Sequence, residues 1–121
     1  IDEFVEKRKE NFSYLKNRLQ SLREFLILPK PTENSNPSWF GFPITLRESA
    51  NTNRKDLLEY LEQNKIGTRP FFWPLHEQPI LRKMGFFKNQ SYPVAENLAR
   101  RGFSFEVTSN AVEESWDRMS D

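Results

Sequence analysis

The stretch Trp39-Phe-Gly-Phe-Pro-Ile-Thr-Leu46 gives the clearest strand signal in this chain of 121 residues. Apolar side chains alternate along it, at Phe40, Phe42, Ile44 and Leu46. This is the period of a strand that buries one face. Because Pro43 lacks an N–H group, we expect the strand at a sheet edge, or with that position facing solvent. The stretch therefore predicts a sheet with one apolar face.

Helices and further strands are predicted on both sides of this strand. Apolar residues at steps of three and four predict a long N-terminal helix over residues 1–26: Phe12, Leu15, Leu19, Leu22 and Leu26. Asn53 is a predicted N-cap for a second helix, and Pro93 opens another that ends at Arg101. A last helix is predicted from Asn110 to Met119. Strands are predicted over 68–72 and at the alternating Phe103, Phe105 and Val107.

The order of these elements indicates an α+β fold in one domain. We expect a small, mainly antiparallel sheet of three to four strands, with helices on one face and a long N-terminal helix. Polar residues 32–38 and the stretch Trp73–Pro79 are predicted loops.

The composition excludes several classes of protein. The chain has no cysteine, which excludes disulfides, thiolate metal sites and cysteine nucleophiles. It has one histidine, which excludes a multi-histidine metal site, and we predict no metal. No apolar run is long enough for a membrane span and the N-terminus does not look like a signal peptide, so we expect a cytoplasmic protein with no membrane partner.

Positive charge is concentrated in the middle of the chain. The net charge is +1, but residues 64–102 carry seven basic side chains against Glu77 and Glu96, a balance of +5. Such a segment attracts anionic ligands. The near balance over the whole chain counts against a nucleic-acid partner.

Residues 67–79 form the densest cluster of chemically useful side chains. Arg69 offers a planar fork for a phosphate or carboxylate. Phe71, Phe72 and Trp73 could stack on a base or sugar, and His76 could exchange a proton near neutral pH; the cluster also holds the amide of Gln78. The alternative is structural: the aromatic side chains belong to the core, Arg69 pairs with a surface acid, and His76 caps a loop. A Ser–His–acid triad finds no support, because no serine lies on a nucleophile turn.

Five stretches, in order, resemble the C-terminal small domain of the DegT/DnrJ/EryC1/StrS family of pyridoxal-phosphate-dependent sugar aminotransferases. They are the N-terminal helix from Ile1 to Phe12, Asn36–Leu46, Arg54–Leu61, Lys65–Pro79 and Tyr92–Gly102. Asn36–Phe42 is most similar to the branch of 3-dehydratases that act on CDP-linked 4-keto-6-deoxyhexoses. The Arg69–His76 stretch is more similar to the perosamine-synthase type. Residues 103–110 depart from the family pattern, which leaves any substrate contact there open.

The resemblance implies a function for a larger parent enzyme. The parent would transaminate the keto group of a nucleotide-linked 4-keto-6-deoxysugar with an amino-acid donor, in polysaccharide, lipopolysaccharide or antigen synthesis, as a homodimer. Its pyridoxal phosphate and Schiff-base lysine would lie in a preceding domain, so we expect no catalytic or cofactor-binding residue in this chain, and no activity from it alone. Residues 1–28 would form a helix that bridges to that domain, and 29–121 the α+β body.

The resemblance also implies the substrate-binding residues of this chain: Arg69, Phe71, Phe72, Trp73, His76 and Gln78. Two alternatives remain open. The parent could be a C3 dehydratase of the same family that uses pyridoxamine phosphate, or the chain could be a non-catalytic module that binds protein or nucleic acid.

Overall fold

The structure, a computed structural model, describes residues 1–107. Its helices are α1 (Asp2–Leu19), α2 (Arg54–Gln63), α3 (Pro79–Lys83) and α4 (Pro93–Arg101). Its strands are β1 (Leu26–Ile27), β2 (Gly41–Leu46), β3 (Thr68–Pro70) and β4 (Gly102–Glu106). Short 3-10 turns cover Gln20–Leu22 and Leu75–Glu77. The helix predicted over 110–119 lies outside the described residues.

The four strands form one antiparallel sheet in the order β1-β2-β4-β3. The predicted α+β class with a small antiparallel sheet is therefore confirmed. β1 pairs with β2 only at Thr45 and Leu46, so at Pro43 the strand has its neighbour β4 on one side alone. This is the environment that a residue without an N–H group requires.

The core lies on one face of the sheet. Phe42 pairs with Phe105 and Ile44 with Phe103, and side chains of paired residues share a face. Helices α1 and α2 cover this face with apolar side chains that are at most 5% exposed: Phe12, Leu15, Leu19 and Leu61. The ring of Trp39 stacks on Phe12 with centroids 3.7 Å apart. The predicted helical cover over one apolar face is thus confirmed.

The N-terminal helix is shorter than its sequence pattern predicts. α1 ends at Leu19, and after the turn Gln20–Leu22 the chain returns as β1, whose Leu26 is buried. The step from Leu22 to Leu26 fits a helix, but Leu22 is 42% exposed and Leu26 pairs with Leu46. Strand pairing therefore wins over helical periodicity in this segment.

Phe40 is a second departure from the sequence prediction. The alternation places it on the buried face with Phe42, yet it is 84% exposed. The ladder with β4 begins at Gly41, which pairs with Glu106, so Phe40 precedes the strand. Alternation predicts a common face only for residues within the ladder.

The predicted starts of α2 and α4 are confirmed in detail. The side chain of Asn53 accepts a hydrogen bond from the backbone N–H of Asp56 at 2.9 Å, and Pro93 is the first residue of α4. The Arg54 guanidinium donates to the carbonyl oxygens of Ala99 and Gly102, which ties the start of α2 to the junction of α4 and β4. This tie helps to set α4 against the sheet.

No helix within residues 1–107 has the length and apolar content to cross a membrane.

Candidate functional site

Arg69 lies on the sheet face that points away from the core. In β3 it pairs with Ser104 of β4, which in turn pairs with Pro43 of β2. Ser104 lies between the buried Phe103 and Phe105 in the sequence, so this row of paired residues faces the other side of the sheet. The side chain is exposed, and no acidic group in residues 1–107 lies within ion-pair distance of it. Within this part of the chain, the structure does not support the alternative in which Arg69 pairs with a surface acid.

The segment after β3, residues 71–78, is named the aromatic loop here. Phe71 is half-buried, and its backbone N–H donates to Gly102 O at 3.3 Å. Phe72 is 97% exposed and Trp73 is 53% exposed. None of the three side chains belongs to the core cluster, and Phe71 lies beside Gly102 at the junction of α4 and β4, so the structure does not support the alternative in which these aromatic side chains form the core.

His76 is buried, unlike its aromatic neighbours. It is 7% exposed, its Nε2 atom lies 2.9 Å from Glu96 Oε1, and its ring contacts the ring of Tyr92 with centroids 4.9 Å apart. Gln78 donates its side-chain N–H to Trp73 O at 3.0 Å, within the loop itself. A direct contact of His76 or Gln78 with a ligand stays a prediction, and in this structure both side chains bind other parts of the chain.

Glu96 is the partner that the sequence analysis missed. It lies in the first turn of α4, where Oε1 accepts hydrogen bonds from Tyr92 N at 3.0 Å, Ser91 Oγ at 3.1 Å and His76 Nε2. The N–H of Tyr92 and then His76 lower the pKa of Glu96 below its usual value of 4.5. A sequence signal existed for the bond to Tyr92 alone, because an acid one turn after a predicted helix start can bind back to the N-cap N–H.

His76, Glu77 and Glu96 form a group whose possible metal-ligating atoms lie within 4.8 Å of one another. However, Glu96 Oε1 already accepts three hydrogen bonds, one of them from His76 Nε2. Glu77 Oε1 lies 3.9 Å from Arg100, which supplies the compensating charge. The arrangement is that of a hydrogen-bonded ion-pair network rather than a set of free metal ligands.

A groove of about 530 Å³ opens beside α1 and α2, on the core face. The described residues around it are apolar or neutral, and they include Leu22, Phe25, Leu46, Leu57 and Phe105. Because it offers no charged group, it is a poor site for a phosphate or carboxylate. The exposed Arg69 and the aromatic loop remain the better candidate site.

The lowered pKa of Glu96 predicts how its contribution to stability depends on pH. A group whose pKa is lower in the folded state stabilises the fold above its unfolded pKa, and this contribution is lost as pH falls through the folded pKa. We therefore expect the variant Glu96→Gln to be less stable than the wild type at neutral pH. The difference should shrink as pH falls below about 4.5.

Urea midpoints measured between neutral pH and pH 3 test this prediction. Glu48→Gln is the control, because Glu48 is 88% exposed and its pair with Arg101, at 3.8 Å, is of the weak surface kind. A difference between wild type and Glu96→Gln that stays constant over the whole pH range would contradict the prediction.

The chain is similar to known proteins over most of its length. The model of the DegT/DnrJ/EryC1/StrS aminotransferase family matches residues 1–121. The chain is 52% identical over 99 residues to the lipopolysaccharide biosynthesis protein RfbH of Salmonella typhimurium, covering 81% of this chain and 21% of that protein. It is 42% identical over 72 residues to dTDP-4-dehydro-2,6-dideoxy-D-glucose 3-dehydratase of Saccharopolyspora spinosa, covering 60% of this chain and 15% of the relative. It is 29% identical over 112 residues to GDP-perosamine synthase of Escherichia coli O157:H7, covering 90% of this chain and 28% of that protein.

Solved structures share the fold. A mutant of GDP-4-keto-6-deoxymannose-3-dehydratase (ColD) with bound GDP-perosamine superposes with a TM-score of 0.76 at 23% identity, over 96% of this chain and 30% of that one. The chain thus spans about a third or less of the proteins that it matches. From the family match over all 121 residues and the 52% identity to RfbH, we conclude that the chain belongs to the DegT/DnrJ/EryC1/StrS aminotransferase family.

Proposed function

We propose that the chain is the C-terminal small domain of a larger enzyme that transforms a nucleotide-linked keto-deoxysugar, and that it supplies substrate contacts. The family comprises pyridoxal-phosphate-dependent sugar aminotransferases and 3-dehydratases that act on nucleotide sugars. The family match over the whole chain is the observation that carries this proposal. A role in polysaccharide or lipopolysaccharide synthesis is supported by the name of the relative RfbH.

Two reactions are candidates. The resemblance in the sequence implies transamination, whereas the sequence identities to the relatives favour C3 dehydration. The 3-dehydratase relative is 42% identical, against 29% for the perosamine synthase. The two reactions leave different products. Transamination moves an amino group from the donor onto the sugar and turns the donor into a keto acid, whereas dehydration removes the C3 hydroxyl and leaves no nitrogen on the sugar.

Mass spectrometry of the product therefore separates the two reactions. The parent enzyme would be incubated with a nucleotide-linked 4-keto-6-deoxyhexose, pyridoxamine phosphate and glutamate. A sugar product that lacks the C3 hydroxyl and carries no nitrogen supports dehydration. A nitrogen-bearing sugar with its C3 hydroxyl retained supports transamination, and an unchanged sugar contradicts the proposed function.

The residues of this chain do not fit pyridoxal phosphate by themselves. A lysine that forms a Schiff base is activated by an apolar pocket or a nearby cation. No lysine within residues 1–107 is buried, and the apolar groove holds no charged side chain for a phosphate. We propose that the cofactor is held by another part of the parent enzyme. The bridging role of residues 1–28 and the homodimer stay predictions, and no observation favours a non-catalytic binding module.

Arg69 is the residue of this chain that is best placed to bind a phosphate or carboxylate of the substrate. It is exposed beside the aromatic loop, with no acid paired to it in residues 1–107. A hydrogen bond to a charged group contributes about 1.5–3 kcal/mol, or roughly ten- to a hundred-fold in affinity. In the parent enzyme, Arg69→Ala should raise the KM for the nucleotide sugar by this factor.

Arg23→Ala is the matched control for this measurement. Arg23 is also an exposed arginine, but it lies in the turn between α1 and β1. We expect its variant to keep the KM of the wild type. An Arg69→Ala enzyme with unchanged KM values for both the nucleotide sugar and the amino donor would remove Arg69 from the site.

A further inference from the structure

The aromatic loop has an unusual pattern of burial. Its apolar side chains Phe72, Trp73 and Leu75 are 97%, 53% and 68% exposed, whereas His76 is 7% exposed. Apolar burial is the main favourable term in folding, and between Phe72 and Leu75 only Pro74 is buried. We therefore expect polar contacts to contribute strongly to the direction of the exposed side chains.

Three hydrogen bonds that involve side chains hold the loop, in addition to the backbone bond from Phe71 N–H to Gly102 O and the pair of Glu77 with Arg100 of α4 at 3.9 Å. Gln78 donates to Trp73 O at 3.0 Å, and Arg82 of α3 donates to His76 O at 3.1 Å. Both of these connect residues that are five or six apart in the sequence. The bond between His76 Nε2 and Glu96 Oε1 joins residues 20 apart, and it ties the loop to α4.

Glu96 is itself held in place. Its carboxylate accepts hydrogen bonds from Tyr92 N and Ser91 Oγ, and the Tyr92 ring packs against the His76 ring. α4 continues directly into β4, the strand that pairs with β2 and β3. Glu96 therefore connects the loop, through α4, to the strand β4 that lies between β2 and β3 in the sheet.

We propose that Glu96 is a positioning residue: by binding His76 it holds the aromatic loop on α4, and so aims the exposed Phe72 and Trp73 at the substrate. The second half of this inference rests on the proposed function. Glu96 need not contact the substrate, and His76 acts as the link between the loop and α4.

Amide hydrogen exchange on the 121-residue chain tests the first half without any substrate. The reporters are the N–H groups of Glu77 and Gln78, which donate to Pro74 O and Leu75 O at 3.0 and 3.1 Å. We expect Glu96→Ala to lower their protection factors at least tenfold. Glu96→Gln keeps a carbonyl oxygen that can accept from His76 and Tyr92, so its factors should stay within about threefold of the wild type.

Glu48→Ala is the matched control, because Glu48 pairs with Arg101 of α4 and its side chain makes no hydrogen bond or ion pair with residues 71–78. Amides of β4 report whether each variant is folded. If Glu96→Ala does not fold, His76→Ala breaks the same bond and should lower the same two protection factors. Unchanged protection factors of Glu77 and Gln78 in whichever of the two alanine variants is folded overturn the proposal. Protection factors in Glu96→Gln as low as those in Glu96→Ala overturn it too.

The parent enzyme tests the second half. We expect Glu96→Ala to raise the KM for the nucleotide sugar at least tenfold with a smaller change in kcat, and Glu96→Gln to restore it. A loosened loop with unchanged KM overturns the positioning role. The proposed function is judged separately, by the reaction product and by Arg69→Ala, so each can fail without the other.

Discussion

Replacing Phe42 by alanine is expected to lower the free energy of unfolding by about 3–5 kcal/mol. Phe42 is 0% exposed, pairs with Phe105 across the sheet, and lies 4.9 Å from the ring of Phe12 in α1. The substitution removes apolar contacts between sheet and helix and leaves a cavity at the centre of the core. Urea denaturation of the 121-residue chain, followed by circular dichroism, measures the loss.

Phe40→Ala is the control for this prediction, because Phe40 lies two residues away and is 84% exposed. Its substitution should change stability by about 0.5 kcal/mol or less. Equal losses in the two variants would mean that Phe40 and Phe42 share a buried face, as the alternation in the sequence alone suggests. Such a result would contradict the register of β2 and β4.

Gly102→Ala is expected to cost about 3 kcal/mol, because the junction of α4 and β4 has no room for a side chain. An added Cβ atom would lie 2.5 Å from Leu98 O and even closer to the ring of Phe71. The carbonyl belongs to the backbone of α4 and cannot rotate away, so the helix or the loop must shift. The carbonyl oxygen of Gly102 also accepts a hydrogen bond from Arg54, and such a shift would strain that bond.

Gly67→Ala is the matched control in the same measurement. No atom lies within 4 Å of the position where its Cβ would be built. Alanine there should be neutral or stabilise the chain by about 0.4–1 kcal/mol, since it restricts the unfolded state. If Gly102→Ala matched Gly67→Ala in stability, the close packing of Phe71 on β4 would be wrong.

The elements with local signals were predictable from the sequence. Asn53 and Pro93 mark helix starts through backbone chemistry that involves only neighbouring residues. The alternation of Phe42, Ile44 and Leu46 identifies a half-buried strand for the same reason. At Leu26 the local signal was misleading. Periodicity favoured a helix, but long-range pairing with Leu46 places Leu26 in a strand.

The candidate site was predictable as a list of residue types but not as an arrangement. Arg69 and the exposed Phe72 and Trp73 lie in the predicted cluster, and the structure leaves all three accessible. His76 is buried against Glu96, and its contact with a ligand stays a prediction. Its partner lies 20 residues away, beyond the range of any spacing rule, so the sequence pattern contained no sign of this pair.

The sequence by itself determined the class of the fold, the starts of α2 and α4, the positive middle segment and the family resemblance, because these depend on neighbouring residues or on their order. Only the tertiary structure decided which side chains share a face. Strand order and register place Arg69 opposite the core, and the contact between the aromatic loop and the first turn of α4 brings Glu96 to His76. Such contacts join distant residues, and their free energy becomes available only once the sheet and helices have packed together.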